Sequence, residues 1–178
     1  MGLDITAYAK VELKAADLQR EAAWYLVDEL YDQGIRTVAI YDSPEFTERA
    51  APLVAPAAGL CNVYAIDGEM FEFRAGSYRG HGHFRRWLCT LAGIAAPEEQ
   101  WAHPDKYAPL PFHELVNFSD CEGVIGSVAC AELAKDFAAY QKQADAYNGG
   151  DAEYWQRVYS DWRKAFELAK HGGVVVFG

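Results

Sequence analysis

Alternating apolar and polar residues predict an opening strand over residues 3–13. From Ala15 to Asp32 the pattern changes: Leu18, Ala22, Leu26 and Leu30 recur every four residues and favour a helix ending at Gly34. Thr37 to Tyr41 is a second β-rich run, and Ser43-Pro44-Glu45 after it supplies a cap, a first-turn proline and an acid where a short helix would start. Residues 51–59, with two prolines, read as a loop. Cys61 to Ile66 and Met70 to Arg74 flank Asp67-Gly68, the dipeptide that most favours a tight reversal, and so predict a β-hairpin.

The glycine-bearing stretch from Gly76 to Gly82 reads as a loop, after which Phe84, Leu88 and Leu91 regain helical spacing. Residues 97–111 read as a surface loop, 112–118 as a short strand, and Ser119 to Gly123 as a turn with a positive φ at the glycine. Two helical stripes follow, Leu133, Phe137, Tyr140, Ala144 and Tyr147, then Trp155, Val158, Trp162, Phe166 and Ala169. Asn148-Gly149-Gly150 separates them, Asp151 suits the second N-terminus, and Lys170-His171-Gly172 suits its C-terminus. Val174 to Phe177 offers a closing strand. The fold class is therefore α+β in one domain over 1–178: a small mixed or antiparallel sheet packed by helices, with a C-terminal antiparallel helical hairpin.

Composition narrows the partners. The 178 residues are 51% hydrophobic, enough for one continuous core, and carry a formal charge of −10. With a pI near 4.9, the chain repels a phosphate backbone, so direct nucleic-acid binding is not expected. No apolar run approaches the roughly 18 residues of a membrane span, and the N-terminus has no signal-peptide core; the expectation is a cytoplasmic protein without a membrane partner. Met1-Gly2-Leu3-Asp4-Ile5-Thr6 fits the loose myristoylation pattern, but its alternation favours a strand. Cys61, Cys89, Cys121 and Cys130 lack paired spacing and are expected as reduced, buried thiols.

Four groups of residues offer chemistry. Arg74 to Arg86 holds four arginines, Ser77, Tyr78 and several glycines; glycine lets a backbone approach a ligand, and guanidinium forks suit an anion. It is neither a Walker loop nor a dinucleotide fingerprint, and the commoner use is a strand-to-helix connection whose arginines pair with acids. Asn117-Phe118-Ser119-Asp120-Cys121-Glu122-Gly123 places two carboxylates two residues apart, a cation or acid–base pair, set against a plain turn held by Ser119 or Asp120. His81 and His83 fall on one side of an extended segment and, with His103, His113 or Glu122, would make a metal site; a solvated loop is the commoner reading. Among the aromatics, Trp155 and Trp162 share a core stripe, while Trp101 is freer to stack on a ligand. Cys121 and Cys130 lack a cysteine-hydrolase context.

Gly2-Leu3-Asp4-Ile5-Thr6-Ala7-Tyr8, Phe73-Arg74-Ala75-Gly76-Ser77-Tyr78 and Phe118-Ser119-Asp120-Cys121-Glu122-Gly123-Val124-Ile125-Gly126, with Trp162 to Ala169 and Gly172-Gly173, resemble a family of uncharacterised tailed-phage proteins. The chain departs at His81-Gly82, where the family pattern has Tyr-Asn, and in a more helical segment from Ala15 to Gly34. The resemblance implies a phage or prophage product made in bacterial cytoplasm and brings neither an established activity nor a cofactor.

The leading expectation is an accessory protein that binds a small anionic ligand, with a host defence nucleotide as the class to be sequestered. Arg74, Ser77, Tyr78 and Arg85 would hold phosphate, Tyr78 or Trp101 would stack the base, and Asn117, Ser119, Asp120 and Glu122 would close a shared hollow. The alternatives are an acidic, aromatic-rich inhibitor of a basic site on a host protein, and a metal-assisted phosphoester hydrolase using Asp120, Glu122 and His81 or His83.

Overall fold

Two sixteen-residue strands, β1 (Leu3–Leu18) and β3 (Cys61–Gly76), pair antiparallel along nearly their whole length. The computed structural model describes residues 2–43, 48–107, 110–119 and 121–178, so Pro44, Glu45 and Asp120 lie outside the described residues. β2 (Thr37–Tyr41) adds to the outer edge of β3, and β5 (Val174–Phe177) pairs with β1 while β4 (Gly123–Gly126) pairs with β5. The resulting order is β2-β3-β1-β5-β4, every pair antiparallel.

The chain does not reverse at Asp67-Gly68. β3 runs straight through both predicted strands, and Gly68, at φ 86°, sits in a bulge: Tyr8 faces Met70 and Lys10 faces Asp67, so β3 spends one more residue than β1 over that interval. A left-handed glycine serves a bulge as well as a tight turn. The long β1 decides between them, because a continuous β3 satisfies β1's backbone groups on both sides of the bulge. β1 likewise runs past its expected end and takes Ala15 to Leu18 from the predicted helix.

Alternation places Leu3, Ile5 and Ala7 of β1, with Phe71 and Phe73 opposite, on one face of this ribbon, and Asp4, Thr6, Glu72 and Arg74 on the other. The first face packs under helices α2 (Tyr78–Ala92), α5 (His113–Val116), α6 (Ser127–Ala139) and α8 (Ala152–Ala169), forming the main core with Phe84, Leu88, Leu133, Phe137, Trp162, Phe166, Val175 and Phe177. Beyond the bulge the ribbon coils. Val11 and Tyr64 of its far half share a second cluster with Val124 and Val174, although Val174 alternates with the main-core residue Val175. Helix α1 (Arg20–Asp32) covers the far half through Ala23, Leu30, Cys61 and Val63.

The C-terminal pair is the predicted antiparallel hairpin: Gln156 donates to the carbonyls of Ala144, Asp145 and Tyr147, Tyr159 to that of Phe137, and Phe137 packs on Phe166. The first stripe breaks at Tyr140 into α6 and α7 (Gln141–Ala146). Asp151 stands at the N-terminus of α8 with φ 56° and no capping bond from its side chain. Residues 97–107 contain α3 (Pro97–Ala102) and α4 (Pro104–Tyr107), each opening on a proline that gives up no hydrogen bond in the first turn. Residues 112–118, read as a strand, contain α5 (His113–Val116) instead. Phe112, at φ 60°, starts this turn and donates its N–H to the Asp136 carboxylate at 2.7 Å, a tertiary bond that periodicity does not show. Among the described residues no helix is long and apolar enough to cross a membrane.

The junction of α8 and β5 leaves no room for a side chain at Gly173, where a Cβ would lie 2.0 Å from the Tyr8 carbonyl oxygen and 2.8 Å from Ala169 Cα. Gly173→Ala is expected to cost on the order of 3 kcal/mol, because backbone must move on both sides. Gly68→Ala is expected to cost about 1–2 kcal/mol, the strain of a left-handed alanine at a bulge that otherwise has space. Urea unfolding of the two variants measures both values and their order.

Candidate functional site

Ser77 caps α2. Its Oγ accepts the Gly80 N–H at 3.0 Å, so the helix begins at Tyr78 and takes residues 78–82 of the stretch read as a loop. Arg79, Gly82, His83 and Arg86 thereby fall at helical i, i+3, i+4 and i+7 positions on one outward stripe. Together with Tyr78, Arg85, Glu98 and Trp101 they line a groove of about 270 Å3. Among the residues lining it, three arginines and a histidine face one carboxylate, that of Glu98, which pairs with Arg86.

Arg85 anchors the groove floor. It is only 4% exposed, donates from Nη1 to the Phe118 carbonyl at 2.6 Å, and lies 5.1 Å from the centre of the Trp101 ring. Burying a guanidinium is costly unless its donors are met, and a carbonyl acceptor with an aromatic face offsets part of that cost. Trp101 is held in turn by its indole N–H, which donates to the Val116 carbonyl at 2.9 Å. The wall opposite α2 is thus fixed by backbone carbonyls of the segment that ends α5.

Of the predicted ligand-binding residues, Tyr78 and Arg85 line this groove, and Ser77 starts the helix that carries it. Asn117 caps α5 between the two carbonyls just named. Arg85 reaches the Phe118 carbonyl, but the two turns share no hollow: Asn117, Ser119 and Glu122 do not line the groove. Other predicted members lie elsewhere. Arg74 faces away from the helices, as β alternation requires, and pairs with Asp4 at 3.9 Å on the surface. Ser119 accepts the N–H groups of Cys121 and Glu122 at 3.3 and 3.4 Å, closing the turn, with Gly123 at φ 114° as expected. Glu122 lines a different hollow, of about 160 Å3, between β2 and β4. Asp120 lies outside the described residues.

The histidine pair does not share a side. In a helix, positions two apart diverge, and while His83 is exposed on the groove, His81 is sealed in the core between Trp162 and Phe177, its ring 5.4 and 6.2 Å from theirs. Neither of its ring nitrogens has a hydrogen-bond partner among the described residues. Burial, reinforced by the nearby Arg85 cation, pushes its pKa down to about 3. Among the described residues no three His, Cys, Asp or Glu side chains gather as a metal site. Burial also pushes the thiols of Cys89, up to about 11, and Cys130 upward; these two and Cys61 are buried, whereas Cys121 is exposed against expectation.

Reading residues 76–82 as a loop hid Arg79, His83 and Arg86 as a single stripe. The signal was present: Ser77 as a cap, followed by cationic residues at helical spacing.

The buried neutral His81 makes acid stability testable. Unfolded, its imidazole takes up a proton near pH 6.5; folded, it stays neutral down to about pH 3, so the native state loses stability as pH falls through that window. This contributes up to about 5 kcal/mol of destabilisation by pH 3, at a slope approaching 1.4 kcal/mol per pH unit. Between pH 7 and 4 the wild type is expected to lose about 3 kcal/mol more unfolding free energy than His81→Phe; parallel curves would refute the assignment.

Compared with protein-family models, curated proteins and solved structures, the chain matches none.

Proposed function

We propose that this chain binds a small phosphate-bearing anion, of the nucleotide class, in the groove along the first half of α2, as an accessory product of a phage or prophage. The observation that carries the reading is the concentration of Arg79, His83, Arg85 and Arg86 beside Tyr78 and Trp101 on a protein whose formal charge is −10. Arg79 and Arg86, two helical turns apart, offer guanidinium donors to phosphate oxygens, and Tyr78 or Trp101 gives a planar base a stacking partner. Gly82, on the same stripe, leaves the groove floor open: a Cβ there would meet nothing within 4 Å. The Gly2–Tyr8, Phe73–Tyr78 and Phe118–Gly126 motifs support the phage origin. A hydrolase reading has less support, since His81 is sealed from solvent and Glu122 lines a separate hollow.

Isothermal titration with ADP, cyclic AMP and inorganic pyrophosphate tests the proposal. Arg79→Ala and Arg86→Ala are each expected to weaken binding about tenfold, the loss of one charge-assisted contact, with little change in stability because both side chains are exposed. Trp101→Ala is expected to weaken the nucleotides more than pyrophosphate, separating stacking from charge. Absence of binding by all three ligands at millimolar concentration would overturn it.

A further inference from the structure

Helix α1 carries a second surface of opposite character. Its inward stripe, Ala23, Val27 and Leu30, packs on Cys61 and Val63 of β3. Outward, Glu21, Trp24, Tyr25 and Asp28 occupy i, i+3, i+4 and i+7 positions and line a hollow of about 360 Å3. Trp24 is 55% exposed, Tyr25 78%, and Tyr31 one turn further on 75%. Large aromatics left in water at such density mark a binding surface more often than a packing accident. From this stripe we infer that α1 is a docking surface for a basic segment of a partner protein, the hollow receiving an arginine or lysine side chain between two aromatic faces and two carboxylates.

Three observations commit the occupant to a cation. The hollow sets Glu21 and Asp28 on either side of the rings, and Glu29 and Asp32 extend the negative charge along the helix. Trp24, with Tyr41 of β2 beside it, already holds a guanidinium: Arg20 lies 5.6 Å from the Trp24 ring centre and 5.2 Å from that of Tyr41. Trp24 is also pre-positioned, its indole N–H donating to the Tyr41 hydroxyl at 3.3 Å, so little side-chain freedom remains to be lost on binding. A protein segment fits better than an isolated cation because Tyr31 prolongs the aromatic surface beyond the hollow.

The test must separate this site from the general attraction of an acidic protein for basic peptides. Binding of an eight-residue alternating Arg-Gly peptide and its Lys-Gly counterpart is measured by titration at 50 and 300 mM salt, with tetramethylammonium as the small-cation arm. Glu21→Gln/Asp28→Asn and Trp24→Ala are each expected to weaken the peptides about tenfold. Glu69→Gln/Glu72→Gln, an equal charge change at two exposed positions of β3, is expected to change affinity less than twofold. The complex should also shift the Trp24 indole resonance. Equal losses for both double variants, tetramethylammonium binding as tightly as the peptides, or no peptide binding at low salt would each overturn the inference.

Discussion

The pairing of β1 with β3 is the constraint from which the remaining architecture follows. Sixteen residues on each strand satisfy one another's backbone groups, and every other strand hangs from an edge of this ribbon, β2 on one side and β5 with β4 on the other. The register also separates the two surfaces described above. Leu18 pairs with Cys61 and Leu3 with Gly76, so α1, which follows Leu18, and α2, which follows Gly76, leave from opposite ends of a ribbon that would span roughly 50 Å if straight. The aromatic, acidic helix face and the cationic groove thus start from opposite ends of the β1–β3 ribbon.

Legibility in the sequence tracked how local the deciding interaction was. β2, β5 and α8 were readable because alternation or a helical stripe alone settles them, and Gly123 because its turn needs a positive φ. Asp67-Gly68 was misread because a bulge and a tight turn want the same glycine, and only the unseen length of β1 selects the bulge. Phe112 to Phe118 failed for the same reason, its first turn being set by Asp136 twenty-four residues later. At the candidate site the residue types were legible and their arrangement was not. Loop and strand readings put Arg74 with Arg85 and His81 with His83, whereas the helix that begins at Tyr78 turns Arg85 and His81 inward and leaves Arg79, His83 and Arg86 outside.

Helix α2 shows what the groove costs the fold. Gly82 disfavours a helix interior by about 1 kcal/mol relative to alanine, a cost offset partly by the Ser77 cap on the Gly80 N–H and by burial of Phe84, Trp87 and Leu88. Packing does not require Gly82, since a methyl group there would touch nothing. What its absence leaves is open space between Arg79 and Arg86. Arg85 costs more again, as a cation withdrawn from water and aimed at a main-chain carbonyl. Of these costs, Gly82 and Arg85 fall among the residues that line the groove.

Net charge and local charge then act at different distances. At physiological ionic strength fields fade over about 8 Å, so an anion approaching the protein meets the surplus of carboxylates only weakly before it reaches Arg79 and Arg86. For the anion proposed above, the global charge of −10 would act on the rate of arrival more than on the strength of the local contacts. For a basic partner at α1 the signs reverse: long-range attraction and local contact point the same way, and association there gains speed from the whole molecule. One acidic chain can on this account favour two unlike ligands, provided the anion's contacts are confined to a groove small enough that the surrounding carboxylates do not enter its desolvated volume.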